Sequence, residues 1–102
     1  MNLTIEQAWK KLYKLAYGKG PHFRWSPYTY NNILKLLSKL LEQQLICGVT
    51  IEIAQDGQYE VDIWNEETAG DIAPFFSFSF DEAVFWKLVE LGLLGSDTIE
   101  ES

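Results

Sequence analysis

Hydrophobic positions recur along the chain first with a helical period and then with a strand period. Thr4-Ile5-Glu6-Gln7 is a T-x-x-Q capping box, in which hydroxyl and amide would satisfy each other's backbone N–H groups, so a helix opens there. Ile5, Ala8, Trp9, Leu12 and Ala16 then share one face, with Lys10, Lys11 and Lys14 opposite. Gly18 suits the left-handed residue that ends a helix, and Pro21 discourages continuation. Ser26-Pro27 predicts the start of a second helix, whose stripe of Ile33, Leu34, Leu36, Leu37, Leu40, Leu41 and Leu45 is broad enough for two neighbours. Gln44 falls inside that stripe, where a buried amide would need hydrogen-bond partners, and Gly48 ends the helix.

Alternation follows. Val49, Ile51 and Ile53 oppose Thr50 and Glu52; Tyr59, Val61 and Ile63 oppose Glu60, Asp62 and Trp64. A two-residue Asp56-Gly57 turn would set Ile53 against Glu60 and mix the faces. A three-residue loop with Gly57 left-handed pairs Ile53 with Tyr59, Ile51 with Val61, Glu52 with Glu60 and Thr50 with Asp62. After an acidic loop over 65–74, Phe76, Phe78 and Phe80 alternate with Ser77 and Ser79 in a third strand over 75–80. Ser79 or Asp81 caps a last helix from Glu82 to about Leu93, apolar nearly all round apart from Lys87 and Glu90, hence substantially buried.

The order ααβββα predicts an α+β fold in two layers: two N-terminal helices, a three-stranded antiparallel meander and a C-terminal helix. Residues 1–94 form one domain and 95–102 an acidic, flexible tail. The outer sheet face would carry Thr50, Glu52, Glu60, Asp62, Trp64, Ser77 and Ser79.

Composition sharpens this picture at few points. The 102 residues include four Trp, five Tyr and six Phe, a generous aromatic supply for one globular core. The single Cys47 excludes an internal disulfide and a Cys-rich zinc site, and is expected to fill a gap in the core. No apolar run reaches the length of a membrane span, and the start of the chain lacks a basic segment followed by an apolar one, so a cytoplasmic protein without membrane contact is expected.

Charge is the most informative remaining property. Up to Gly48 there are seven Lys or Arg and two acids, Glu6 and Glu42; from Val49 onward one base, Lys87, stands among thirteen acids. The halves carry +5 and −12, making up the net −7. Such asymmetry points to charged partners.

The acidic half supplies the first candidate surface: Glu52, Glu60, Asp62, Trp64, Glu66, Glu67 and Asp71, with Trp64 as an aromatic anchor for a partner protein bearing a basic surface. A variant of this reading makes the carboxylates stand in for phosphates, as in an inhibitory nucleic-acid mimic. The basic half supplies the alternative, a nucleic-acid surface in which Lys10, Lys11, Lys14 and Lys19 neutralise phosphates while Arg24 and Trp25 stack bases. The net negative charge opposes that reading at long range. Docking of the basic half of one copy on the acidic half of another is also compatible with the pattern.

Catalysis ranks last. His22 has no partner pattern for a triad, Gly18-Lys19-Gly20-Pro21 lacks the phosphate-loop spacing, and no metal-ligand or dinucleotide motif occurs, so no cofactor is expected.

Overall fold

In the computed structural model, which describes residues 2–68 and 73–100, the chain runs β1 (Asn2–Leu3), α1 (Ile5–Tyr17), α2 (Tyr30–Glu42), β2 (Gly48–Ile53), β3 (Tyr59–Trp64), β4 (Phe75–Ser77), α3 (Phe80–Glu90) and β5 (Thr98–Ile99). The fold is α+β in the expected order, with an antiparallel sheet β2-β3-β4. A short parallel pair, β1 with β5, is added to it.

Local chemistry sets the helix ends. Thr4 accepts the Gln7 N–H at 3.1 Å while its own N–H donates to Gln7 Oε1 at 2.9 Å, completing the capping box of α1. Gly18, at φ +79°, closes the helix by donating to the Lys14 carbonyl. α2 begins three residues after Pro27, with Thr29 at its N-cap. Ser26 does act as a side-chain acceptor, but for the N–H of Tyr28 at 3.2 Å, so it closes a turn before the helix.

The end of α2 explains the odd Gln44. Leu45 N–H reaches the Leu40 carbonyl and Gln44 N–H that of Leu41, each at 3.0 Å, with Gln44 at φ +61°. This is a Schellman cap with glutamine where glycine is usual. The helix therefore stops well before Gly48, and the Gln44 side chain is exposed, not buried in the stripe. Gln44→Gly is expected to raise stability by up to about 1 kcal/mol, read from the urea midpoint, because glycine has no Cβ penalty there.

The hairpin has the predicted three-residue loop. Ala54 N–H donates to the Gln58 carbonyl at 2.8 Å, Gly57 sits at φ +91°, and Ile53↔Tyr59, Ile51↔Val61, Glu52↔Glu60 and Thr50↔Asp62 are the observed pairs. β4 departs from expectation. It pairs Glu60 with Phe76 and Val61 with Phe75, so Phe75 faces the core side while Phe76 lies on the outer face. Alternating Phe and Ser define a period but not its phase; the strand is short, and Phe80 is already helical and buried. Helix α3 accordingly starts two residues early and ends at Glu90, ahead of Gly92 at φ +81°.

The core lies between the inner face of the sheet, through Val61 and Ile63, and the helices, through Trp9, Leu12, Leu36, Leu40, Val84, Phe85 and Leu88. Cys47 is exposed, and its neighbour Ile46 takes the core position. Residues 95–100, expected within the tail, run back along the N-terminus. Glu100 N–H donates to the Leu3 carbonyl at 2.7 Å, and Lys11 donates to the Leu94 carbonyl at 2.9 Å and to Asp97.

The Lys11 ammonium holds the Asp97 carboxyl below the usual aspartate range. A carboxyl depressed in the fold stabilises it above the unfolded pKa, near about 4, and that contribution is lost as pH falls through the lower folded value. Acidification from about pH 5 to about pH 2 is therefore expected to loosen the β1–β5 clip, seen as faster hydrogen exchange at the Glu100 amide beyond the intrinsic change. Asp97→Asn should flatten that dependence.

Candidate functional site

The helices cover one face of the sheet and leave the other open. Register decides what stands on the open face: Glu52 of β2 lies directly opposite Glu60 of β3, and Glu60 directly opposite Phe76 of β4. The result is a row of two carboxylates and an aromatic ring across all three strands. Glu52 and Phe76 are exposed and Glu60 is half-buried; among the described residues no ion pair engages either glutamate. Directly opposed like charges cost a few tenths to about 1 kcal/mol, which an added cation would relieve.

Asp56, at the hairpin tip, belongs to the same end of the sheet. Its carboxylate accepts the Gln58 side-chain amide at 2.6 Å and backbone N–H at 3.0 Å. These bonds, the side-chain one first, pull its pKa below the usual aspartate value and keep it ionised. Neither Asp56 nor Phe76 stood out in the sequence. Asp56 reads there as turn chemistry, and Phe76 reads as core until the phase of β4 is known.

The remaining candidates of the acidic half separate from that row. Asp62 is the first residue of β3 beyond the stretch that β4 pairs, and its carboxylate lies 3.7 Å from Lys87 Nζ. Lys87 itself is fully buried, donates to the Ala73 carbonyl at 2.5 Å and also meets Glu90 at 3.5 Å. Asp62 is thus partly neutralised by the sole cation of the acidic half.

Trp64 pairs with Gly48 and lays its indole over it. A Cβ on Gly48 would come within 2.2 Å of the ring, so the glycine is there to admit the tryptophan. Half-buried in this way, Trp64 is part of the sheet surface more than a free anchor.

Glu66 and Glu67 sit on a turn closed by Asn65, whose Oδ1 accepts the N–H groups of Glu67 at 3.1 Å and Thr68 at 3.0 Å. Glu66 lines a hollow with Leu41, Gln44 and Cys47, beyond the end of β3 and six residues along the chain from Glu60. Asp71 lies outside the described residues.

The basic candidates are also divided. Lys10 is 3.6 Å from Glu6, an exposed i,i+4 pair, and Lys11 is engaged by Leu94 and Asp97. Lys14 and Lys19 are exposed. Arg24 lies over the Phe23 ring at 5.4 Å, and Trp25 is half-buried, edge-on to Tyr13 at 4.9 Å and Trp9 at 6.5 Å. Two of the six therefore take part in holding the fold, Lys11 through the C-terminal segment and Trp25 through the aromatic core, whereas the solvated Lys10–Glu6 pair adds little.

Among the described residues no three His, Cys, Asp or Glu side chains converge as a metal site, and no helix is long and apolar enough to cross a membrane. The chain matches no protein-family model, no curated protein and no solved structure.

Proposed function

We propose that the protein is a small, non-catalytic interaction module of the cytoplasm that binds a partner protein with a basic surface through the open face of its sheet. The observation that carries this reading is the row Glu52–Glu60–Phe76: two glutamates without an ion-pair partner among the described residues, in direct register, beside a half-exposed aromatic ring. An arginine or lysine of the partner relieves the Glu52–Glu60 repulsion, and Phe76 offers an apolar contact beside Glu60 at the end of the row. Asp56 extends the negative potential toward the hairpin tip, and Glu66 and Glu67 contribute to steering from the other end. Nucleic-acid binding through Lys10, Lys11, Lys14, Lys19, Arg24 and Trp25 has less support, since Lys11 is engaged by Leu94 and Asp97 and Trp25 by the aromatic core.

Site-specific photo-crosslinking tests the location. With the crosslinker at Thr50, on the open face, a nuclease-treated native lysate is expected to yield a protein attached through a basic segment, in a salt-sensitive manner. With it at Ser38, exposed on α2, that product should be absent. Equal products from both positions, or crosslinks to nucleic acid alone, would contradict the reading.

A further inference from the structure

A second concave site lies on the opposite, basic part of the molecule, between the first turns of α1 and the chain before α2. Its volume is about 410 Å³, within the range of small-ligand sites. Glu6, Trp9 and Lys10 reach it from one face of the helix, as their spacing of three and four residues requires. The facing wall is the 21–27 segment, where Pro21 and Pro27 restrict the backbone and Trp25 N–H closes a turn on the His22 carbonyl at 3.1 Å. Trp25 is held edge-on by Tyr13 and Trp9, so this wall is formed before any ligand arrives.

The lining has two characters. Half-buried Trp25 offers aromatic surface above the buried Trp9, and Phe23 stands at the rim with 91% of its surface exposed, the most exposed large apolar side chain of the described residues. A ring of that size left in water gains from any flat apolar surface placed against it. The polar side chains are two that can donate, Lys10 and His22, and the Glu6 carboxylate, which accepts. His22 Nδ1 accepts the Arg24 N–H at 3.2 Å, so the neutral imidazole carries its proton on Nε2. Among the described residues Lys10 is tied to Glu6 alone, at 3.6 Å and with both side chains largely in water, a weak pair that a ligand anion can replace.

We infer that this hollow is a binding site for a small planar aromatic anion, a single ring system bearing a carboxylate or a phosphate. The ring stacks between Trp25 and Phe23, and the anion is met by Lys10 with His22 as a further donor. The volume suits one such molecule. The site is separate from the sheet face and does not depend on the function proposed for it.

Nuclear magnetic resonance titration of the full chain tests the assignment, following the Trp25 indole N–H and the amides of His22 and Phe23. The probes are 2-naphthoate and adenosine 5′-monophosphate, with 2-naphthylmethanol, adenosine and inorganic phosphate as controls. At least one anion is expected to give saturable shifts at these signals with a dissociation constant below about 1 mM, and its uncharged counterpart to bind at least about tenfold more weakly. Preference for naphthoate identifies a carboxylate ligand and preference for the nucleotide a phosphate ligand. Lys10→Gln and Phe23→Ser, both at exposed side chains, should each weaken binding about fivefold or more without moving the unfolding midpoint. The assignment is overturned if neither anion saturates these signals, if the uncharged compounds or phosphate alone bind as well, or if both variants bind like the parent.

Discussion

Trp9→Ala is expected to cost about 3–5 kcal/mol, a large part of the roughly 5–15 kcal/mol that holds a domain of this size folded. The residue is 1% exposed and lies where three parts of the chain meet. Its ring is 5.3 Å from Phe85 of α3 and 6.5 Å from Trp25 of the pre-helix segment, while its backbone belongs to α1. Truncation leaves a cavity that these rings cannot close without breaking the edge-on contact of Trp25 with Tyr13 at 4.9 Å. Urea denaturation should show a much lower midpoint at nearly unchanged slope, and Trp9→Phe should recover most of the loss. A loss below about 1 kcal/mol in the alanine variant would mean that Trp9 does not organise the core.

Lys87→Ala should be the next most damaging change, at about 2–4 kcal/mol, although the residue is charged. Lysine is rarely buried, and this one is fully so, among the buried Phe80, Ala83, Val84, Phe85 and Leu88 of the same helix. Its four-carbon stem packs as core, and its ammonium, itself covered, meets the Ala73 carbonyl, Asp62 and Glu90 beyond the start of β4. Stem and charge can be separated. Lys87→Met keeps the stem and should cost only about 1 kcal/mol, because Ala73, Asp62 and Glu90 retain access to water. Asp62→Asn should cost less still, since Asp62 is partly exposed and Lys87 keeps the Ala73 carbonyl and Glu90. The order alanine, methionine, then Asp62→Asn is read from urea midpoints. A methionine variant as damaged as the alanine one would show that the charge matters more than the stem.

The chain pattern reveals the element order, the hairpin and its register because each rests on local chemistry: a capping box, an Asp-Gly turn, and faces that cannot be mixed without burying glutamate. Two misplacements share another cause. The start of α2 and the phase of β4 depend on which of several equivalent signals is used, Ser26 or Thr29, Phe75 or Phe76, and tertiary packing makes that choice. Gln44 adopts a left-handed conformation that glycine would advertise and glutamine conceals. The return of residues 98–99 to pair with Asn2 and Leu3 spans almost the whole chain and leaves no local trace. For the candidate surface, opposed Glu52 and Glu60 follow from the hairpin register alone. The neutralisation of Asp62 by Lys87 and the arrival of Phe76 beside Glu60 need the third strand and the helix in place.

The proposed role of the open sheet face is tested most directly with two variants of equal charge change. Glu52→Lys with Glu60→Lys alters the row, whereas Glu42→Lys with Glu100→Lys makes the same change at exposed positions away from the sheet. Affinity for the partner crosslinked at Thr50 is then measured at about physiological ionic strength, where the Debye length is about 8 Å and distant charges are largely screened. The row variant is predicted to lose at least about tenfold in affinity, and the remote variant less than about threefold. Equal losses in the two variants would show that net charge alone, and not the Glu52–Glu60–Phe76 row, attracts the partner, and would contradict the account.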